Sequence, residues 1–289
     1  MAGDLQLPTV HHVYPTKCAT LDKPPGFGDY LRGSIALAHH ARERKFDLRL
    51  DFSRHPMRHF LRGQEELAPS AGAVDEFFDD RATLIYDWLD DLQAGGAGFA
   101  CTNLLPHASR IDDGILASIR DQLQFSSEIL DTSRLIRDQV TADSFAAIHL
   151  RFSDDDFETD KGLAGKLFDH IEATIIPTWG RRLAVVSNNA YAKRALSERY
   201  GLHHIDTRAV HLGQGNGSQS DVRDTLIDFA LMAQASEIYS HSAYTWKSGF
   251  SHWCATLHGI PFHPMVIESR GPGAFLRNAA RGLKNRLGV

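Results

Sequence analysis

At 289 residues, with 43% hydrophobic and 23% charged side chains, the chain has room for one large domain or two of about 140 residues, and two layered α/β domains are the expectation. A net charge of −5 and a pI near 6.3 argue against a general nucleic-acid binder, so any anionic ligand has to be met by local positive groups. Cys18, Cys101 and Cys254 form no CxxC pair, and neither a secretory signal pattern nor an apolar window of about 18 residues is visible, which points to a reducing, cytoplasmic setting without a membrane span.

In chain order, the segment from Thr9 holds a Pro/Gly turn at Lys23 to Gly28, a helix from about Tyr30 to Glu43 and the short strand "FDLRLDF". "SRHPMRHFLRGQEELAPSAGAVDE" is polar and broken by Pro and Gly, as a long loop would be. "DDRATLIYDWLDDL" fits a strand or a short helix, "AGGAGFACTNLL" leads into a strand, and residues 112–140 show helical spacing for one or two helices.

The second half alternates short apolar runs with helical patterns. "SFAAIHLRF" is a strand, "KGLAGKLFDHIEATIIPTW" a helix, "RRLAVVSNN" a strand, "AYAKRALSERYG" a helix closed by Gly201, and "GLHHIDT" a short strand. "SDVRDTLIDFALMAQAS" is a helix, "EIYSHS" a strand, and "TWKSGFSHWCATLHG" a helix before "IPFHPMVI". This alternation predicts a parallel, doubly wound sheet with ligands at the carboxyl ends of its strands. A boundary near Thr141 gives domains 1–140 and 141–289. The C-terminal "AFLRNAARGLKNRLGV" reads as a basic amphipathic helix that either packs across the domains or touches a membrane surface.

Four loops follow strand ends in the second half: "HLRFSDDD", "SNNAY", "HLGQGNGSQSD" and "SHSAYT". In a doubly wound sheet they converge on one edge, so residues near 150, 188, 215 and 243 are expected neighbours around one ligand, with Ser187 and Asn188 among the expected donor contacts. Arg151, at the end of an apolar strand, suits either a phosphate or an ion pair with Asp154 or Asp156. His149 is either a core histidine or a substrate contact. The three consecutive aspartates fit either a divalent metal or a helix start. Ser242 and Thr245 lie where a strand turns into a helix, a place for capping and for anion binding alike. Gly26 and Gly28 flank Phe27 ahead of Asp29, which reads as an N-cap or a functional carboxylate, and the glycines serve either a turn or a close ligand approach. Gly213, Gly215 and Gly217 do not open a helix in the dinucleotide-binding pattern, and no GxxxxGK[ST] occurs. The pairs His11-His12, His39-His40 and His203-His204 define no metal motif.

Taken in order, "GFGDYLRG", "AIHLRFSDDD", "VVSNNAYAKRAL", "LIDFALMAQASEIYSHSAYTWKSGFSHW" and "GIPFHP" resemble the successive motifs of the GDP-fucose-dependent fucosyltransferase superfamily, chiefly over Phe145 to Pro264. The resemblance implies a GT-B-like fold of two doubly wound α/β domains facing a cleft, and an inverting, metal-independent transfer of fucose or a related sugar to an acceptor hydroxyl. It implies that Arg151 binds the β-phosphate, that His149 contacts guanine, that Ser242, Ala243, Tyr244 and Thr245 surround the phosphates, and that Asp228 recognises guanine. Gly26, Phe27 and Gly28 join the donor site, while Asp29 and Asp154 are the candidates for a general base. No cofactor beyond the donor, no metal and no nucleic acid is expected. The family's acidic pair appears here as Asn188-Asn189, and Ala243 replaces a serine. These departures motivate two alternatives: a transferase of the same fold with another nucleotide sugar, or a nucleotide- or glycan-binding protein without turnover.

Overall fold

The computed structural model describes residues 6–17, 24–64, 77–78, 82–107, 111–140, 144–152, 161–214, 217–243 and 247–267. Asp154, Tyr244, Thr245 and the basic C-terminal segment lie outside them. The chain divides into two compact units, one comprising Met1–Leu135, Ala209–Ala233 and Gly249–Ile260, the other Ile136–Arg208, Gln234–Ser248 and Pro261–Val289. Among the described residues, no helix is long and apolar enough to cross a membrane.

The first unit is built on a parallel sheet of β1 (Thr9–Val13), β2 (Asp47–Asp51), β3 (Phe77–Phe78) and β4 (Ala97–Thr102), in the order β2-β1-β4-β3. The central strand β1 is the short "TVHHV", whose histidine pair hides its apolar pattern. His12 is fully buried because both ring nitrogens have partners, Nδ1 with Ser34 Oγ at 2.9 Å and Nε2 with the Thr102 backbone at 3.1 Å, and its ring stacks on Tyr30. Its pKa falls to about 3 because burial removes water from the charged form.

Helix α1 (Phe27–Arg44) packs Ala36 and Leu37 against Val10 and Ala100 of this sheet. It begins at Phe27 with Gly26 as N-cap, so Asp29 is not the cap that the sequence suggested. Asp29 lies in the first turn, where a carboxylate suits the positive helix end, and pairs with Arg32 at 3.6 Å. The polar stretch after β2 contains a 3-10 turn at Pro56–Phe60, and Leu61 bridges to Phe125. Residues 82–90 form helix α2 (Ala82–Asp90), which settles the strand-or-helix ambiguity, and residues 112–140 hold two helices, α3 (Asp113–Gln122) and α4 (Ser127–Gln139).

The second unit has a parallel sheet of β5 (Ala146–Arg151), β6 (Leu183–Ser187), β7 (His203–His204), β8 (Glu237–Ser242) and β9 (Phe262–Pro264), in the order β7-β6-β5-β8-β9. Residues 146–150 are all buried, the continuous apolar signature of a strand covered on both faces. One face of β5, with Ala146, Ile148 and Leu150, joins Phe152, Leu167, Ile171, Leu183 and Leu196 in a core cluster. The single helix expected over residues 161–179 is interrupted, giving α5 (Lys161–Thr174) and α6 (Ile176–Trp179), since Pro177 cannot donate to the helical ladder. Helix α7 (Ala190–Tyr200) ends at Gly201 in the left-handed conformation, as expected.

Two later helices, α8 (Gln219–Met232) and α9 (Gly249–His258), cluster with the first unit although they alternate in sequence with strands of the second. Phe229 of α8 meets Phe27 at 5.2 Å, Phe250 at 5.4 Å and Phe125 at 5.9 Å between ring centres, all edge-to-face. Such contacts each add roughly 0.5–1.5 kcal/mol beyond area burial. α9 starts at Gly249 rather than at residue 245.

Candidate functional site

The strand order of the second sheet reverses between β5 and β8, since β6 and β7 extend to one side of β5 and β8 and β9 to the other. At such a switch point the connections leave in opposite directions and open a crevice outside the carboxyl ends. Arg151 ends β5 and is in register with Ser242, which ends β8. Two residues back, His149 is in register with Ser240. Residues two apart on a strand share a face, so His149 and Arg151 share one, with Ser240 and Ser242 beside them, opposite the face that Ile148 and Leu150 give to the core cluster.

His149 is 4% exposed, and its Nδ1 lies 3.3 Å from Ser240 Oγ, so a side-chain hydroxyl helps to hold the ring. Burial, with the nearby positive charge of Arg151 and His241, drives its pKa down to about 3. The imidazole is therefore neutral at physiological pH and serves as a hydrogen-bonding group, not a second cation. Arg151 is partly exposed at the strand end. Its carbonyl accepts a 2.8 Å bond from Ala243 N–H, which carries the β5–β8 pairing one residue past Ser242.

The opposite flank is fixed from β6. Ser187 Oγ donates to Leu150 O at 2.8 Å and accepts from Asn189 N–H at 3.0 Å. Asn188 Oδ1 accepts from Phe152 N–H at 3.0 Å while its Nδ2 donates to Phe152 O at 3.1 Å. Asn189 caps α7 by accepting from Ala192 N–H at 3.0 Å. This accounts for Asn188. An amide can donate and accept at once, whereas an aspartate at 188 could only accept and would leave Phe152 O without its donor. The three side chains bracket the end of β5 and so hold Arg151. Sequence alone named Ser187 and Asn188 as ligand contacts, and nothing in the spacing revealed that their polar atoms serve the backbone. Ser240 was not singled out at all; its position two residues before Ser242 was the available signal.

The remaining predicted positions lie in the first unit. A Cβ on Gly28 would stand 2.2 Å from the Gly249 carbonyl carbon and 2.5 Å from Phe250 N, so this glycine admits α9 against the start of α1. A Cβ on Gly26 would come 2.9 Å from His211 Nε2, and one on Gly213 2.4 Å from Pro25 O, which joins two glycine-containing turns that the sequence treated separately. Phe27 is buried against Tyr14 and Phe229. Asp228 is 1% exposed on α8. His39 and His40 lie on α1, within the helix expected there, and both reach Glu43; the three ligand atoms fall within 4.8 Å of one another. That set shares no residue with the switch point.

Together these features define a two-unit, parallel α/β protein whose second unit presents a guanidinium, a neutral imidazole and hydroxyls at a topological switch point. No family model matches the chain, and no curated protein matches its sequence. Solved structures do match its shape. The fucosyltransferase NodZ from Bradyrhizobium superposes with a TM-score of 0.56 at 12% identity, over 87% of this chain and 92% of that one. NodZ α-1,6-fucosyltransferase co-crystallised with GDP gives 0.54 at 13% identity, over 87% and 93%. A mutant of Arabidopsis thaliana FUT1 in complex with GDP gives 0.54 at 10% identity, over 93% of this chain and 72% of that one. The chain shares the α/β fold of these fucosyltransferases.

Proposed function

We propose that the protein is a glycosyltransferase that takes fucose, or a related sugar, from a GDP-sugar and transfers it to an acceptor hydroxyl. The observation that carries this reading is the in-register placement of Arg151 and Ser242 at the reversal of the second sheet, with neutral His149 on the same face. The shared fold with NodZ co-crystallised with GDP and with Arabidopsis FUT1 in complex with GDP supports it.

In the proposed step the acceptor oxygen bonds to the anomeric carbon as the bond from that carbon to the β-phosphate oxygen breaks, with inversion. The electron pair leaves with GDP, and the acceptor proton passes to a general base, for which Asp29 and Asp154 are the candidates. Negative charge grows on the departing phosphate, so a fixed guanidinium interacts more strongly with the transition state than with the ground state. Arg151 supplies that charge in place of a metal. His149 and Asp228 are proposed to contact the guanine base, and Ser242 with the backbone from Ala243 to Thr245 the phosphates. Asn188 acts by positioning Arg151, because both ends of its amide are engaged with Phe152.

The test is turnover of GDP-fucose by Arg151→Ala. Loss of transfer and of donor hydrolysis in a folded variant supports the reading, and undiminished turnover refutes it. A transferase using a different nucleotide sugar is the second reading, favoured by Asn188 and Asn189 where the resembling family carries acids. A donor panel in which UDP- or CMP-sugars turn over faster than GDP-fucose would select it.

A further inference from the structure

We propose that the cleft beyond the carboxyl end of β2 is a second ligand site, built for the oxyanion group of a sugar-sized molecule. The cleft is open to solvent, has a volume of about 420 Å³ and is lined by Ser53, Arg54, His55, Pro56, Arg58, His59 and Gln219. That volume lies within the range of small-molecule sites, roughly 300–1,000 Å³. Among the described residues its lining contains two arginines and no carboxylate, in a chain whose net charge is −5.

Arg58 is held rather than adrift. Its Nη1 donates to Ser53 O at 3.2 Å and its Nε to His59 Nε2 at 3.4 Å, which closes the turn. Among the described residues its Nη2 has no such partner, so an edge of a positioned guanidinium remains for a ligand. His55 contributes shape and no charge. Its Nδ1 accepts from Met57 N–H at 3.1 Å, so the proton resides on Nε2 and is donated to Leu212 O at 2.9 Å. Burial lowers its pKa to about 4, which keeps that tautomer neutral. Gln219, the first residue of α8, adds an uncharged amide. Two guanidinium groups, an imidazole and an amide around one concavity suit a phosphate or carboxylate, which a guanidinium binds through parallel charge-assisted hydrogen bonds.

The cleft shares no residue with Arg151 or Ser242, and the proposal stands independently of the transferase reading. The experiment is calorimetric titration of the full chain with inorganic phosphate, glucose 6-phosphate, glucuronate and glucose. The expected result is binding of glucose 6-phosphate, glucuronate or both, no binding of glucose, and a loss of about tenfold or more in Arg58→Ala, the worth of one charge-assisted bond. Inorganic phosphate binding as tightly as glucose 6-phosphate would show a free-anion site and overturn the assignment to a sugar-sized molecule. Preference for a charged sugar identifies a sugar-borne oxyanion, and glucose 6-phosphate against glucuronate separates phosphate from carboxylate. Since Arg58→Ala also removes the bond to Ser53 O, Arg54→Gln provides a second variant that keeps that turn bonded. Arg151→Ala should leave these titrations unchanged, and Arg58→Ala should leave GDP binding unchanged. Failure of the wild type to bind any of the anions, equal binding of glucose, undiminished binding in both arginine variants, or loss of anion binding in Arg151→Ala would overturn the proposal.

Discussion

Asn188 shows how a residue can act on a ligand it does not touch. Its amide closes two bonds on Phe152, next to Arg151. Asn188→Asp is expected to lose the bond to Phe152 O, destabilise the fold by about 1–3 kcal/mol and reduce the preference for GDP over GMP, which reads the alignment of Arg151. Asn189→Ala, which removes the α7 cap, should cost about 1 kcal/mol with that preference intact. Parallel denaturation and nucleotide titrations check both. The buried histidines give a second residue-scale prediction. His12 and His149 have ordinary values of 6.5 lowered to about 3 in the folded state, so the unfolded chain binds more protons throughout that interval. Their contribution to stability is complete above pH 6.5 and is lost as pH falls toward 3, by about 1.4 kcal/mol per pH unit for each residue. Urea titrations from neutral to acid pH should show this limb, and His12→Asn should make it shallower. The residue identities at this edge were legible in the sequence through the resemblance. Their environment was not, because neither the Ser240 contact nor the Phe152 bracket follows from local spacing.

At the scale of elements, the strands of the second sheet were the most legible feature. A parallel strand buried on both faces leaves an unbroken apolar run, as "AAIHL" does. β1 was the least legible, because His11 and His12 interrupt its pattern, and its burial depends on Ser34 and Thr102, 22 and 90 residues away. The turn glycines were ambiguous for a similar reason, since a helix-to-helix approach and a ligand approach make the same demand for a missing Cβ. Gly28 is now assigned to the first. Gly28→Ala should force α1 and α9 apart and cost roughly 3 kcal/mol, at the upper end of overpacking effects, measured as a lower denaturation midpoint. A neutral outcome would contradict this assignment of Gly28 to close helix packing.

For the whole molecule, chain order suggested one cut near Thr141, whereas the compact units are assembled from alternating segments, with 209–233 and 249–260 in the first. Aromatic packing of Phe229 on Phe27 and Phe250 produces that grouping, a tertiary contact that no single helix pattern contains. If Arg151 rather than a metal meets the leaving phosphate, GDP-sugar turnover should be unchanged by exhaustive treatment with EDTA; loss of activity restored by Mg or Mn would assign the charge to a cation. The most direct measurement of the central claim is the affinity of the wild type and of Arg151→Ala for GDP and GMP. A guanidinium on the β-phosphate predicts that the wild type prefers GDP by about 10-fold to 100-fold and that the variant, folded and still binding GMP, loses that preference. Equal preference in the two proteins would contradict the account.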